Sequence, residues 1–452
     1  MTRSRQIDMC NGPLLKNVIA YTVPIIITSV IQLLYNAADL AVVGQFCGSK
    51  SVAAVGSTGA LVTLFVNFFV GFASGAGVEM AKAVGSGNSE KVHKMVHTAM
   101  PLSMISGAVV SCLVFFLSGV MLKWMGTPDE ILPLSSLYLK VYAIGLFFSL
   151  IFNFGASLLR ASGDSKTPLI ILSFSGIFNV VFNVIFVTAF HMDVAGVALA
   201  TAISQVLSAI LVIYSLMQRE DAARFYFKSM KIHLEQLKNI FIIGLPSGIQ
   251  SSVFALSNVL IQSSINSFGA TVMSGNAASA SLEGFIYVAM NGFYQAALNF
   301  TGQNMGAKKY NRISKVLVTC MSCAAVAGLV LGITMILFKN ALLSIYINDS
   351  AEAIKYGSQR LVVIGTTYLL CGVMESITGV LRSIGKSVQS MIISILGVCG
   401  IRVVFILTLF KLPQFNSYVS LLLTYPVSWV VCIVIMLIVY EVEKKKLMLK
   451  LV

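Results

Sequence analysis

The chain has 452 residues, of which 57% are hydrophobic and only 11% charged, whereas soluble domains run near a quarter charged. No water-soluble fold hides that much apolar surface, and runs such as residues 170–190 do not alternate in polarity, which excludes a transmembrane β-barrel. The formal net charge of +14 does not mark a nucleic-acid binder, because the basic residues sit in short loops between apolar runs and not on one face of a folded domain.

Residues 1–13 are polar and lack a short apolar core with a small-residue cleavage site, so no removable signal peptide is expected. Beyond them, apolar runs recur that are long enough to cross about 30 Å of hydrocarbon, and lipid cannot satisfy backbone polar groups, so these runs are expected to be helices. The first, at about 14–43, carries Pro24 and then Gln32, Asn36 and Asp39, with Asn36 and Asp39 one turn apart on one face. A carboxylate inside a span must find partners or water. Asp39 therefore reads as a cation or proton site, or as a structural hydrogen-bond partner. The second span, 52–80, holds Gly71 and Gly75, a small-xxx-small pair suited to close helix contact. Glu79 follows with Lys82 one turn on, which reads as a helix-end salt bridge.

Spans at 95–118 and 134–159 lead to a fifth at 168–190, where Asn179 and Asn183 are four apart and project from one face. Their amides can offer oxygens to a cation or hydrogen-bond a neighbouring helix. A sixth span at 195–217 ends the first set, 1–217. One long charged linker, 218–238, precedes the second set, 239–452, with spans at about 238–264, 275–301, 315–338, 356–381, 388–411 and 415–440.

The second set contributes Glu283, Glu375 and Arg402, which read as a buried ion pair or a proton-linked substrate site if the eighth, tenth and eleventh spans line one cavity. Asn258, Gln262 and Asn266 form a stripe with a four-residue step, compatible with a wet cavity wall or with helix packing. The expected substrate cavity is thus Asn258, Gln262, Glu283, Glu375 and Arg402. The 28 Phe and 20 Met supply adaptable apolar lining, although most belong to core or lipid-facing surface.

The two sets repeat at a shift of about 222 residues, which aligns Pro24 with Pro246, Arg160 with Arg382 and Gly163 with Gly385. Six spans per repeat give both halves the same orientation in the bilayer. Lys and Arg counted by side of the membrane fall 23 to seven, with Arg360 assigned to a loop on the poorer side and Arg402 alone inside the membrane. The positive-inside rule then predicts cytoplasmic termini.

The four His and eight Cys form no metal-ligand set, and the Cys320 to Cys323 pair reads as helix packing. No Walker motif is present, so energy is expected from a gradient and not from a bound nucleotide. No cofactor, no catalytic residue and no metal beyond a possible Na⁺ is expected.

The runs Tyr35-Asn-Ala-Ala-Asp39 through Val43-Gly44, Ala53-Ala-Val-Gly56, Gly71 to Gly87 and Leu159-Arg160-Ala-Ser-Gly163-Asp164 follow in order along the first half. Asn179 with Asn183, Gly196-Val-Ala-Leu-Ala-Thr201, Gly244-Leu-Pro246, Gln303-Asn304-Met305-Gly306-Ala307 and Leu381-Arg382-Ser-Ile-Gly385 complete the series. In that order, and with the repeat, the chain resembles the multidrug and toxic compound extrusion family of secondary transporters. The resemblance implies twelve helices in two lobes around a V-shaped cleft, a monomer in the cell's inner membrane, and export of cationic or amphipathic compounds in exchange for Na⁺ or H⁺, with no enzymatic activity. It also places a cation site on Asp39, Asn179, Asn183 and Thr201, with Asn153 as a further member. The family's acid eight residues after the seventh-helix proline is here Phe254, and its tenth-helix acid falls near Cys371, one turn before Glu375. These departures move the expected coupling site to the first half. Two rivals are a lipid-linked sugar flippase, which needs several intramembrane cations where only Arg402 is predicted, and a channel, against which the parallel repeat argues.

Overall fold

The computed structural model describes residues 6–347 and 350–449, and among these every regular element is helical. Twelve long helices run α1 (Leu14–Phe46), α2 (Ser49–Gly85), α3 (Ser89–Trp124), α4 (Leu132–Ala161), α5 (Lys166–Thr188) and α6 (Asp193–Met217) in the first half. In the second they run α7 (Leu234–Asn266), α8 (Ala270–Gly306), α9 (Tyr310–Leu337), α10 (Ala351–Ser383), α11 (Ser387–Lys411) and α12 (Tyr418–Leu449). Eleven of them are long and apolar enough by composition to span a membrane, and the protein is an all-α, multi-pass membrane protein. α8 is the one such composition misses. Its polar residues Asn276, Glu283, Asn299, Gln303 and Asn304 are buried against protein, so they do not meet lipid.

Most helices overrun the predicted spans. At 1.5 Å per residue a helix of α2's length reaches about 55 Å, well beyond a hydrocarbon core of about 30 Å. What ends them is local chemistry. Gly48 and Gly269 precede α2 and α8 at φ 85° and 92°, and Gly163 and Gly385 follow α4 and α10 at φ 90° each. These are left-handed positions that glycine enters without steric cost. Asp164 then caps α5, its Oδ1 accepting from the Thr167 backbone N–H at 2.9 Å and its Oδ2 from the Thr167 hydroxyl at 2.6 Å. The Arg-x-x-Gly run at the end of the fourth long helix of each half is thus a helix stop. The repeat also appears in helix length: α1 and α7 have 33 residues each, α2 and α8 have 37 each.

Packing gathers the chain into two compact units. The first is Ile27–Gly248 with the residues just before Asp8, and the second is Asp8–Ile26 with the chain from Ile249 onward. The division falls inside α1 and α7, two residues after Pro24 and two after Pro246, where each proline withholds an N–H from the helix ladder. The contact division therefore lies at neither end of the linker.

In the first unit, Phe72 packs edge-on against Phe154 and Phe241, with centroids 5.8 and 5.0 Å apart. The expected Gly71 and Gly75 contact is real, and its partners are Gly244 and Gly248 of α7. A Cβ on Gly75 would stand 2.6 Å from the Gly244 backbone N, and one on Gly248 would stand 2.8 Å from the Phe68 carbonyl oxygen. The linker is clipped to α3: the Tyr226 backbone N–H donates to His97 Nε2 at 3.0 Å and that of His233 to Thr98 Oγ1 at 3.1 Å. In the second unit, Asn299 donates to the Tyr21 hydroxyl at 2.9 Å and Asn304 to the Met9 carbonyl at 3.0 Å, which ties the start of the chain to α8.

Candidate functional site

In the first unit the Tyr35 ring fills the space a side chain on Gly176 would need, since a Cβ there would fall 1.7 Å from ring carbons. Its hydroxyl donates to the Ser173 carbonyl at 3.2 Å. That contact locks α1 to α5, and one turn further along α1 and two along α5 Asp39 meets Asn183.

Asp39 Oδ1 accepts from Asn183 Nδ2, and Oδ2 accepts from the Thr201 hydroxyl at 3.3 Å. Thr201 Oγ1 in turn accepts from Asn179 Nδ2 at 3.3 Å, and Asn179 Oδ1 lies 3.4 Å from Asn183 Nδ2. Asn183 is fully buried, and its Oδ1 has no hydrogen-bond partner. Three helices, α1, α5 and α6, thus bring a carboxylate, two amides and a hydroxyl together, with no cationic side chain paired to Asp39 among the described residues. Oxygen-rich sets of this kind suit a hard monovalent cation or a proton on the carboxylate. Asn153 is not joined to this cluster. It sits on α4 and donates back to the Ser149 carbonyl at 2.8 Å.

The second unit assembles a different centre. Glu283 of α8 is held by Arg360 of α10 through two parallel bonds, Nε to Oε1 and Nη2 to Oε2, each 2.8 Å. Arg360 Nη1 also donates to Asn276 Oδ1 at 2.8 Å, which accepts the Tyr418 hydroxyl at 3.2 Å. Asn276 Nδ2 continues the chain to Gln262 Oε1 at 3.2 Å, and Gln262 donates to Asn266 at 2.8 Å. Asn258, from the same stripe, is exposed.

These contacts correct two expectations. Arg360, counted as a loop residue, is only 6% exposed and belongs to the body of α10. Its position four residues inside the predicted tenth span was the available signal. Glu283 therefore pairs with Arg360 and not with Arg402. Arg402 instead donates Nε to Ser428 Oγ at 3.2 Å and lies 3.9 Å from the Tyr425 ring centroid. A third buried guanidinium, Arg382, donates to Tyr294 and, at 2.8 Å, to Gln250 Oε1. Glu375 lies on the same helix seven residues before Arg382 and within its field. Arg402 is thus one of three buried arginines in the second half, so the count of one that spoke against a flippase does not hold. All three are engaged by side chains of this protein, Arg402 through Nε alone. Glu79 and Lys82 form the expected helix-end salt bridge at 2.7 Å.

Comparison with known proteins agrees with this architecture. The family profile described as MatE matches residues 24–185 and 246–408, so one motif occurs twice and covers well over half of the chain. The Bacillus subtilis (strain 168) protein called "Probable multidrug resistance protein YpnP" is 26% identical over 87% of this chain and 88% of its own length. From the same organism, "Probable multidrug resistance protein YoeA" is 24% identical over 96% and 95%. A solved structure titled as the outward-facing conformation of a multidrug resistance MATE family transporter of the MOP superfamily superposes with a TM-score of 0.90 at 20% identity, covering 98% of both chains.

Proposed function

The chain belongs to the MatE family, and from that premise we propose that it is a secondary antiporter exporting small cationic or amphipathic organic compounds in exchange for Na⁺ or H⁺. Its relatives named as multidrug resistance proteins support export. The single observation that carries the coupling half of the reading is Asp39, a carboxylate in a span contacted by Asn183 and Thr201 and, among the described residues, by no cation. Amide and hydroxyl dipoles orient that charge without cancelling it, so an ion can complete the set. The unpartnered Oδ1 of buried Asn183 offers such an ion one further oxygen.

On this reading the ion binds one facing state more tightly than the other, and that difference is what lets a gradient drive export. The halves 1–217 and 239–452 act as the moving lobes of a monomer, the linker 218–238 joins them, and both chain ends face the cytoplasm of a cell whose inner membrane holds the protein. The test is purified protein in liposomes with a Na⁺ or a proton gradient imposed in turn, read as movement of a fluorescent cationic dye. Dye movement under neither gradient sinks the antiport reading. A cysteine placed at Arg224 and labelled from outside intact cells overturns the topology.

A further inference from the structure

Within α11 the stretch Ile395–Gly400 is wound as π-helix between the α-helical turns Ser387–Ser394 and Ile401–Leu407, and a 3-10 turn at Leu409–Lys411 ends the helix. A π turn holds one residue more than an α turn and tends to occur at functional positions. The two MatE matches, 24–185 and 246–408, differ in length by one residue, and an inserted residue in this turn accounts for the difference. Just ahead of it the repeat runs at a shift of 222, as in Arg160 with Arg382 and Gly163 with Gly385; beyond it the shift is 223, which sets Val180-Val181-Phe182 against Val403-Val404-Phe405. In that register the counterpart of Asn179, a member of the first unit's cluster, is Arg402.

Arg402 is 4% exposed. It has no carboxylate at ion-pair distance among the described residues, because Glu283 is engaged by Arg360. Its Nε reaches Ser428 Oγ, while the guanidinium lies 3.9 Å from the Tyr425 centroid and 6.0 Å from that of Trp429. Contact with aromatic faces stabilises the charge through the ring quadrupole and leaves the in-plane N–H donors of the two Nη atoms uncommitted. A buried cation held in this way keeps its charge and its fork open to an anion. An arginine serving only to pin α11 to α12 would be expected to spend those donors on protein acceptors, as Arg360 and Arg382 do.

We infer that Arg402 anchors an anion-accepting subsite inside the second unit, which takes the carboxylate or phosphate group of an amphipathic substrate. The two-pronged guanidinium fits either group. Calling the ligand a substrate rests on the transport reading above, whereas the binding itself does not.

The test is therefore binding, with purified protein in phosphatidylcholine nanodiscs titrated by fluorescence anisotropy against carboxyfluorescein and, in parallel, against the cation ethidium. Arg402→Gln is expected to weaken carboxyfluorescein binding by roughly tenfold or more while ethidium affinity holds, with Arg402→Lys falling between the two. Wild-type protein that ignores carboxyfluorescein, unchanged affinity in Arg402→Gln, or equal loss of both probes overturns the assignment. If Arg402→Gln does not fold, the lysine variant decides, since it must lose carboxyfluorescein affinity selectively. Adding phosphatidylglycerol to the nanodiscs should not displace the probe, and Arg402-dependent displacement would hand the subsite to a lipid headgroup. Ethidium efflux from liposomes is scored separately, so failure of transport and failure of the subsite give different results.

Discussion

Asp39 in the first unit and Glu283 in the second are both carboxylates on membrane-spanning helices, and the groups that meet them differ in kind. Asp39 is met by Asn183 and Thr201, which donate hydrogen bonds but carry no charge. Glu283 is met by both prongs of Arg360, which cancels its charge within the protein. Neutral donors leave a charge that an outside ion can answer, whereas a bidentate pair is complete as it stands and mainly fixes helices relative to each other. The second unit also holds a buried charge of the opposite sign, Arg402, which a hydroxyl and two aromatic faces meet and no carboxylate pairs among the described residues.

The largest expected effect tests the first half of that contrast. Asp39→Asn keeps the shape and removes the charge, and export in a gradient should fall to the level of protein-free liposomes while the protein still inserts and folds. Full coupled export by this variant would remove the first unit's cluster from the mechanism. Glu283→Gln should act on stability instead, costing about 3–5 kcal/mol because it leaves Arg360 buried and uncompensated. Thermal unfolding in detergent measures this, and replacing Glu283 and Arg360 together by methionine should be far milder. An unchanged melting temperature in Glu283→Gln would show that the pair is not structural.

Smaller effects sharpen the comparison. Asn183→Ala removes a buried oxygen beside Asp39 and should raise the coupling-ion concentration needed for half-maximal efflux by roughly tenfold, with maximal efflux retained at saturating ion. No shift in that concentration would exclude Asn183 from the ion's ligands. Glu375→Gln should change least, altering dye preference by less than about threefold, which is below 1 kcal/mol, and leaving coupling intact. Complete loss of efflux there would move coupling into the second unit.

The extent of the fold that could be read without coordinates follows from the solvent. A bilayer forces every spanning segment to be a long helix, so apolar runs located the spans, and the pair Gly163 with Gly385 that marks the repeat in the sequence takes the same left-handed φ of 90° in both halves. α8 shows the limit of hydropathy alone, because a helix surrounded by protein can afford Asn276 and Glu283. In the candidate site, Asp39, Asn179, Asn183 and Thr201 are each conspicuous as polar residues on apolar helices. Asn153 is equally conspicuous, yet it turns back to Ser149 on its own helix.

What the linear chain determined was thus the number and type of elements, their internal repeat and a short list of polar residues that lipid would not tolerate, since each depends on local composition and the cost of burying polar groups. Which of those residues meet was decided only by tertiary structure. Arg360 and Arg402 are both arginines on spanning helices of one repeat, and helix rotation gave Glu283 to the first and the faces of Tyr425 and Trp429 to the second. Pairing depends on the azimuth of each helix and, in α11, on one π turn, because a shift of a single residue rotates a side chain by about 100° around the helix axis.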